Sequence, residues 1–401
     1  MKDRDLARVY LDHGATTPVH PEVLNAMIEV YKGYQGNPSS LHETGLVAAE
    51  YLEASRETIA TVMGTEPGNI VFTGSGTEAD NMAIQGVILA TEDEVGKQHV
   101  ITSSIEHPAV LSTCKFLERK GIDVTFLPVN EEGIVDPVEM QEAITPRTVL
   151  ISIMHANNEI GTVQPIEEMS KISRDAGVIF HTDAVQSFGK IPLPLDGNGV
   201  HLLSASAHKI YGPKGVGLLY MANGGMEGDG KPWIKPILHG GGHEHGLRPA
   251  TENTPGIAGF AKAAEIAFTT MESEMARERD LRDMLIDRVL EEIPESHLNG
   301  HRTKRLPNNA NFSFKGVEGE SLLMRLSMAG YDVSTGSACS SKSNAISHVL
   351  EAIGLPGSLA QGSLRVTIGR STTKSMLKDF TMELEKCIGD LRAMSPLWEE
   401  K

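Results

Sequence analysis

The chain has 401 residues, which at about 150 residues per domain corresponds to two or three domains with a sizeable core. Hydrophobic residues make up 40% of the chain and glycine contributes 40 residues, shares that exclude the disordered and collagen-like classes. The 53 acidic residues outnumber the 36 basic ones, and the resulting net charge of −17 argues against nucleic acid or an anionic membrane as the main partner.

Cysteine usage and the N-terminus indicate the compartment. The three cysteines are scattered, which excludes a disulfide framework and a self-contained zinc or iron–sulfur site. The first residues mix charges without an apolar stretch, and no apolar run reaches the roughly 18 residues of a membrane span. We therefore expect a cytoplasmic protein.

The first half of the chain predicts two helices followed by an α/β alternation. Pro21 begins an amphipathic helix, and a second helix runs from about Gly45 to a stop at Gly64. Short apolar runs then alternate with helical stretches, which predicts a mainly parallel seven-stranded sheet flanked by helices. The predicted strands are Asn69–Thr73, Val100–Ser103, Asp123–Leu127, Val149–Met154, Val178–Thr182, Val200–Ser204 and Val216–Met221.

The second half predicts a smaller domain. A glycine-rich segment from Asn223 to Gly246 precedes a long helical stretch from about Ile257 to Ile293, which Pro294 closes. This stretch leads into a smaller α+β domain. We expect a large domain at residues 15–256 and a small domain formed by residues 1–14 and 257–401.

A glycine-rich turn follows the first predicted sheet strand and opens a helix. Its sequence runs from Gly74 to Ala79 and includes Gly76 and Thr77. Free backbone N–H groups at such a helix N-terminus suit a phosphate. The turn also matches the dinucleotide fingerprint G-x-G-x-x-A, with Glu106 as a candidate ribose-binding acid. A tight turn without a ligand is the third interpretation, and the motif does not choose among them.

Two charged residues end later strands. Asp183 follows an apolar run, and a carboxylate buried there needs a cationic partner, such as a ligand's protonated ring nitrogen, unless it caps a helix or forms an internal salt bridge. Lys209 ends another strand and can form a Schiff base with an aldehyde when it is desolvated, although most lysines are surface residues. Together with the phosphate-binding turn, they meet the demands of pyridoxal phosphate (PLP).

The three cysteines differ in context. Cys114 and Cys387 lie at helical spacing from apolar residues, which predicts buried packing positions. Cys339 lies among small polar residues from Ser334 to Asn344, a composition typical of an exposed loop. Its thiol, with a lysine nearby, is a candidate nucleophile, and an incidental loop cysteine is the alternative.

A histidine cluster follows in the glycine-rich segment. The spacing of His239, His243 and His245 can bind zinc. Glycine-rich loops position ligands loosely, and no fourth ligand is obvious nearby. A metal site is therefore the minor interpretation.

Taken together, the motifs resemble those of the cysteine desulfurases of the NifS and IscS type, in the class V, fold-type I family of PLP-dependent enzymes. The similarity runs along nearly the whole chain. The stretch Gly336–Ser341 is similar to the long cysteine loop of this group, which swings out to a protein acceptor. The other matching stretches are Tyr10–Asp12, Ala15–Pro18, Gly36–His42, Gly76–Asn81, Glu106–Val110, His155–Glu159, His181–Gln186, His208–Lys209, Tyr211–Gly215 and Gly362–Arg365.

The resemblance implies the fold of a fold-type I PLP-dependent transferase and a role for each site residue. Lys209 would hold PLP as a Schiff base, and Asp183 would pair with its ring nitrogen. L-cysteine would be converted to L-alanine while Cys339 receives the sulfur as a persulfide. The remaining implied contacts are His107 on the ring and in proton transfer, Gln186 at the phenolic oxygen, Gly76, Thr77, Ser206 and His208 at the phosphate, Thr251 from a second subunit, and Asn157 and Arg365 at the substrate carboxylate.

The implied partners are a second copy of the chain, because Thr251 would act across a homodimer interface, and an iron–sulfur scaffold protein or another sulfur acceptor. A selenocysteine lyase or an aminotransferase on the same fold is the alternative within PLP enzymes, and an NAD-binding oxidoreductase is a further one. A non-catalytic sulfur-transfer scaffold, with Cys339 as a shared iron–sulfur ligand, is the alternative outside enzymes. The sequence departs from the family pattern at His13, Gly14 and Ala207, and at Pro249–Ala250.

Overall fold

A seven-stranded sheet lies at the centre of the protein. The structure is a computed structural model that describes residues 8–33, 35–91, 98–195, 199–228, 230–335, 346–395 and 398. The strands are, in chain order, β1 (Val9–Tyr10), β2 (Ile70–Thr73), β3 (His99–Ser103), β4 (Asp123–Leu127), β5 (Thr148–Ser152), β6 (Ile179–Asp183), β7 (Leu202–Ser206), β8 (Gly217–Met221), β9 (Ser296–Leu298), β10 (Asn309–Phe314), β11 (Tyr331–Asp332) and β12 (Ser363–Thr367). The central sheet has the order β2-β8-β7-β6-β5-β3-β4.

The topology confirms the predicted mainly parallel sheet. Strands β4, β3, β5, β6 and β7 run parallel to their neighbours, whereas β8 pairs antiparallel with both β7 and β2. All seven predicted strands occur, with ends shifted by at most two residues. The runs of Val, Ile and Leu in the inner strands are largely buried on both faces, as strands covered by helices require, whereas the edge strand β4 is partly exposed. The carboxyl ends of β3, β5, β6 and β7 therefore lie at one edge of the sheet, where ligands bind in such folds.

Helices cover the central sheet and complete the smaller unit. Proline at the first position begins α1, and a left-handed glycine, Gly64 with φ +67°, ends α2, as the sequence predicts. No helix of the described ranges is long and apolar enough to cross a membrane. The helices are α1 (Pro21–Gly33), α2 (Glu43–Met63), α3 (Gly76–Ala90), α4 (Pro108–Glu118), α5 (Pro137–Ala143), α6 (Ile166–Asp175), α7 (Thr254–Glu292), α8 (Gly319–Met328), α9 (His348–Ala352), α10 (Gly357–Ala360) and α11 (Lys374–Met394).

Two large apolar clusters bear on the predicted division into domains. The first packs helices onto the central sheet and includes Phe180 and Phe260. The second surrounds the antiparallel sheet β12-β10-β9 and includes Leu11, Phe312 and Phe380. Helix α7 contributes to both, its first half to the large core and its second half to the small one. The division at residue 256 stays a prediction, and α7 continues across that point.

A buried ion pair ties the glycine-rich segment to the large core, and we expect it to be important for stability. Glu244 accepts hydrogen bonds from both terminal nitrogens of Arg56, at 2.7 and 3.0 Å, and from the Phe72 N–H at 2.7 Å. Replacing Glu244 by alanine removes the buried partner of the Arg56 guanidinium and leaves it the exposed Glu53, at 3.3 Å, which should lower the free energy of unfolding by about 3–5 kcal/mol in a urea titration. The exposed pair of Arg288 and Glu292 is the control, and Glu292→Ala should cost less than about 1 kcal/mol. Equal losses in the two variants would contradict this expectation.

Candidate active site

Polar and charged side chains gather where four neighbouring parallel strands end. His107 follows β3, Asn157 follows β5, and Asp183 is the last residue of β6. Lys209 closes the short 3-10 turn that follows β7. His107 and Lys209 both act electrostatically on the Asp183 carboxylate, so the structure brings these three residues together as the sequence predicts.

Lys209 is held with its amine inside the protein. Its Nζ donates hydrogen bonds to the carbonyl oxygens of Gly14 at 2.7 Å and Ala15 at 2.8 Å. Burial, followed by the positive charges of Lys190 and Arg365, lowers the pKa of Lys209 to about 7. A lysine of this kind is largely in its neutral, nucleophilic form just above neutral pH, as attack on an aldehyde requires.

Asp183 is the buried acid of the site. Its Oδ1 accepts a hydrogen bond of 2.8 Å from the Val185 N–H. Burial raises the pKa of the Asp183 carboxyl, and the charges of His107 and Lys209 act in the opposite direction. Glu106 lies behind it, and burial raises the pKa of the Glu106 carboxyl to about 8. A cation placed against Asp183 would favour its ionised form, which matches the predicted pairing with a ring nitrogen.

His107 caps a helix and also presents a ring nitrogen at the site. It caps the N-terminus of α4, because its Nδ1 accepts a hydrogen bond of 3.1 Å from the Ala109 N–H. Burial lowers the pKa of the imidazole. The ring is therefore neutral at neutral pH with its proton on Nε2, the nitrogen that is free to exchange protons at the site.

The glycine-rich turn forms a close approach at the start of α3. Gly76 is buried, and a Cβ there would lie 2.5 Å from Val185 Cγ2 and 3.5 Å from Ser206 Cβ. Thr77 is exposed beside it and lines an open groove with His107. His208 contributes Nδ1, 3.1 Å from Thr16 Oγ1. Three segments distant in the chain thus meet around a helix N-terminus, a geometry suited to a phosphate.

The two predicted substrate-binding residues come from different sheets, Arg365 from β12 and Asn157 from the segment after β5 of the central sheet. Arg365 is buried on β12 and donates to the Asn158 carbonyl and to Asp12 Oδ1, both at 2.8 Å. Its Nε has no hydrogen-bond partner among the described residues. Asn157 is fully buried, and its amide bonds to the Ile105 carbonyl and to two backbone N–H groups. Arg365 therefore keeps an unused donor for an anion, whereas Asn157 shapes the loop after β5.

The remaining candidates fall into three groups. Gln186 donates to the Gly14 carbonyl at 3.0 Å, the same oxygen that Lys209 bonds, which places it in the site. Thr251 is exposed, and its contribution to a second subunit stays a prediction. Cys114 and Cys387 are buried, as predicted, while Cys339 lies outside the described residues.

The structure argues against two minor interpretations. Glu106 is completely buried and accepts from the Ser103 hydroxyl and the Met154 N–H, so it does not face a ribose. His243 Nδ1 lies 2.9 Å from Glu252 Oε1, and no cluster of three metal-ligating side chains occurs within the ranges that the structure describes. The geometry favours neither the dinucleotide site nor the zinc site.

Comparison with known proteins identifies the family. Residues 9–380 match the model of the aminotransferase class-V family. The chain belongs to this family. It is 51% identical over 393 residues to the cysteine desulfurase IscS of Dictyoglomus turgidum, with 98% of this chain and 97% of the relative covered. A solved NifS-like protein superposes with a TM-score of 0.88 at 38% identity over 96% of this chain and 100% of the other.

A second solved structure is similar as well. The protein SspA, solved in complex with cysteine, gives a TM-score of 0.78 at 38% identity over 90% of this chain and 98% of the other. These matches confirm the resemblance to the cysteine desulfurases of the NifS and IscS type and the fold-type I architecture. The class-V member described here is therefore an enzyme of the cysteine desulfurase type.

The residues of this class-V site fit PLP. A buried amine with a lowered pKa suits the aldehyde, a buried carboxylate suits the ring nitrogen, and a helix N-terminus suits the phosphate. Packing requires glycine at position 76, because a Cβ there would lie 2.5 Å from Val185 Cγ2 at the start of α3. Ala207, where the family pattern has glycine, is buried without disturbing the turn.

Sequence reasoning did not assign roles to the N-terminal segment of the site. Gly14 and Ala15 accept from Lys209, and Asp12 pairs with Arg365. The only available signal was the matching stretch around Tyr10–Pro18, whose residues have no chemistry that spacing alone reveals. Asp80, buried 3.7 Å from His181 Nε2, was missed for the same reason.

Proposed function

We propose that the protein uses PLP to remove sulfur from L-cysteine, with L-alanine and a persulfide on Cys339 as the products. Membership of the class-V family and the cysteine desulfurase names of its relatives support the reaction. The observation that carries the proposal is the buried Lys209 amine, whose pKa is lowered to about 7, beside the buried Asp183 carboxylate. Together they form a site for an aldehyde cofactor with a protonated ring.

Each residue has a definable task in this reaction. PLP, when bound, supplies an electron sink for the charge that develops at the substrate Cα. Lys209 would hold the cofactor, and its free amine would accept the Cα proton of the substrate. Asp183 keeps the ring nitrogen protonated, and His107 moves a proton through its Nε2.

In the sulfur-transfer step, Cys339 acts as the nucleophile. Its thiolate attacks the substrate sulfur, a new sulfur–sulfur bond forms, and the bond between sulfur and Cβ breaks with its electron pair remaining on the carbon side. Protonation of Cβ and return of a proton to Cα complete L-alanine. The sum is L-cysteine plus one enzyme thiol giving L-alanine plus one enzyme persulfide, so atoms and electrons balance without an added oxidant.

The proposal is tested with the purified enzyme, PLP and L-cysteine. We expect equal amounts of alanine and transferable sulfur when a thiol acceptor is present, and a mass increase of one sulfur atom on Cys339 when it is absent. Turnover that requires a keto acid, or turnover of selenocysteine but not cysteine, would replace the proposal with the corresponding alternative.

A homodimer is proposed from an apolar stripe on α1. Leu24, Ile28 and Tyr31 lie along one exposed side of the helix, while Val23 and Val30 face the core. Neighbouring Leu41 is 92% exposed. A second copy would cover this stripe and receive Thr251. Sedimentation equilibrium should give twice the chain mass, and a monomer at micromolar concentration would contradict the assembly.

The sulfur acceptor and the compartment are proposals of the same kind. An acceptor must bring a thiol or a scaffold cysteine to Cys339, so an iron–sulfur scaffold protein or another sulfur acceptor of the cytoplasm is proposed. Mixing the persulfide form with a candidate acceptor and following transfer of labelled sulfur by mass spectrometry tests each candidate. An acceptor that gains no label is excluded.

Arg365 is the residue for which we expect a selective effect on substrate binding. In Arg365→Lys the planar fork is lost, while a positive charge remains for Asp12. Because a hydrogen bond to a charged group contributes about 1.5–3 kcal/mol, KM for L-cysteine should rise roughly 10- to 100-fold. The absorbance of bound PLP should not change. Arg392 packs against Trp398, away from the site, and Arg392→Lys is the control. A rise in KM in this variant would show that the effect is not specific to Arg365.

A further inference from the structure

A pocket behind Lys209 contains polar atoms that the proposed reaction does not use. The pocket lies between the turn after β6, the turn after β7 and helix α7, and Lys190, Lys209 and Glu278 line it. Within the described part of the chain, Lys190 Nζ, Asn308 Oδ1 and both ring nitrogens of His13 are buried there without a hydrogen-bond partner. Buried polar atoms are normally paired, so this concentration requires an explanation.

Lys190 is the most unusual of these residues. Its ammonium nitrogen is buried, although the residue as a whole is partly exposed, and the opposing charge that acts on it is Glu278, which reaches in from α7. Glu278 is itself nearly buried, and its nearest recorded ion-pair partner is Arg277 at 3.9 Å. A lysine buried without a hydrogen bond costs stability, so a purely structural role does not account for it.

We propose that Lys190 is a positioning residue that acts through its charge, keeping the Lys209 amine in its neutral, nucleophilic form from the pocket that both lysines line. The proposal rests on the proposed function, in which Lys209 carries the cofactor. Glu278 has the complementary task of maintaining the charge of Lys190 inside the protein.

The charges around the two lysines support this role. Lys190 is the charged neighbour that lowers the pKa of Lys209 most, and Arg365 acts in the same direction. Asp12 and Asp183 act in the opposite direction. The pKa of Lys190 is lowered to about 8 by burial, while Glu278 raises it.

Other titratable groups near the pair do not replace it. His13 and His208 are neutral at neutral pH, because burial lowers the pKa of each to about 4. Burial raises the pKa of the Tyr211 phenol, which is therefore neutral as well. Glu278 titrates in the same range, because burial raises its pKa to about 7 while the charge of Lys190 acts in the opposite direction. Lys190 is thus the cation on this side of Lys209 that titrates closest to its working range.

The experiment measures how fast PLP attaches to the cofactor-free protein at pH 6 to 9. Attachment requires the neutral amine, so the rate should rise with pH with a midpoint near 7 in the unaltered protein. In Lys190→Met the midpoint should move up by about one unit, which makes attachment about tenfold slower at pH 6. The titration of free PLP is common to all variants and cancels in the comparison.

Three further variants separate charge from packing. Lys190→Arg retains the charge and should retain the midpoint, which a merely structural role would not predict. The double variant Lys190→Met/Glu278→Gln leaves no unpaired buried charge, so it should fold even if Lys190→Met does not. It should show the same upward shift of the pH midpoint. Lys214→Met removes an exposed lysine of the same loop and should leave the midpoint unchanged.

The outcomes distinguish this inference from the proposed function. If the absorbance of attached PLP persists in Lys209→Ala, another amine carries the cofactor, so the role that the proposed function gives to Lys209 is wrong and the inference fails with it. If that absorbance depends on Lys209 but Lys190→Met and the double variant keep the midpoint of the unaltered protein, only the inference is overturned.

Discussion

Replacing Lys209 by alanine is expected to abolish the absorbance of attached PLP and to lower L-cysteine turnover by at least about 10²–10⁴-fold. Both losses are expected because the same amine holds the cofactor and accepts the Cα proton. Alanine also leaves the carbonyl oxygens of Gly14 and Ala15 without their donor. The measurements are the absorbance spectrum of the purified protein and the initial rate of alanine formation.

The control for this variant is a lysine of the same loop. Lys214 is exposed and lies five positions along the chain, so Lys214→Ala should keep both the absorbance and the rate. A Lys209→Ala protein that retains the spectrum of covalently held PLP would show that another amine carries the cofactor. Added methylamine should restore part of the rate in Lys209→Ala, since a free amine can accept the proton.

The sheet and the central residues of the site could be predicted because their signals are local. Short apolar runs separated by helical stretches determine a parallel sheet, and residues that end such runs must meet at its carboxyl edge. This rule places Asp183 and Lys209 at the edge, whereas their expected roles come from the combination of motifs and the family resemblance. The glycine-rich turn at Gly76 follows from the conformational demands of a strand-to-helix connection.

The contacts that could not be predicted join distant segments of the chain. Arg365 and Asp12 are 353 positions apart, and neither has a pattern that requires the other. The burial of Lys190 is similarly hidden, because a lysine after a strand is ordinarily exposed. Only the packing of α7 against the large core places Glu278 beside it.

The charge states in the site likewise arise from the fold. His107 precedes a proline, which predicts the start of a helix, but its neutral form follows from burial in the folded protein. The same burial raises the pKa of Glu106 to about 8, so an acid that the sequence offers as a ribose ligand is a neutral side chain within the core. Residue type alone indicates neither state.

Replacing Cys339 by serine is expected to leave the absorbance of bound PLP intact and to lower formation of alanine and transferable sulfur by roughly 10³-fold or more. A serine hydroxyl is not ionised near neutral pH and does not form a stable bond to the leaving sulfur. The variant should therefore bind L-cysteine, shown by a spectral change on mixing, and stop before the carbon–sulfur bond breaks. Alanine formation and the mass of the intact protein are the two readouts.

The other cysteines provide matched controls, because burial keeps both as thiols. Burial raises the pKa of Cys114 to about 12 and that of Cys387 to about 11, so neither supplies a thiolate at neutral pH. Cys387→Ser should keep full activity and still gain one sulfur atom on Cys339. If Cys339→Ser formed alanine at the full rate, the sulfur would be leaving by another route, and the assignment of the nucleophile would be wrong. Loss of PLP absorbance in Cys339→Ser would instead show that Cys339 takes part in cofactor binding. The proposed function does not require this role, because Lys209 and Asp183 at the strand ends are the proposed cofactor-binding residues.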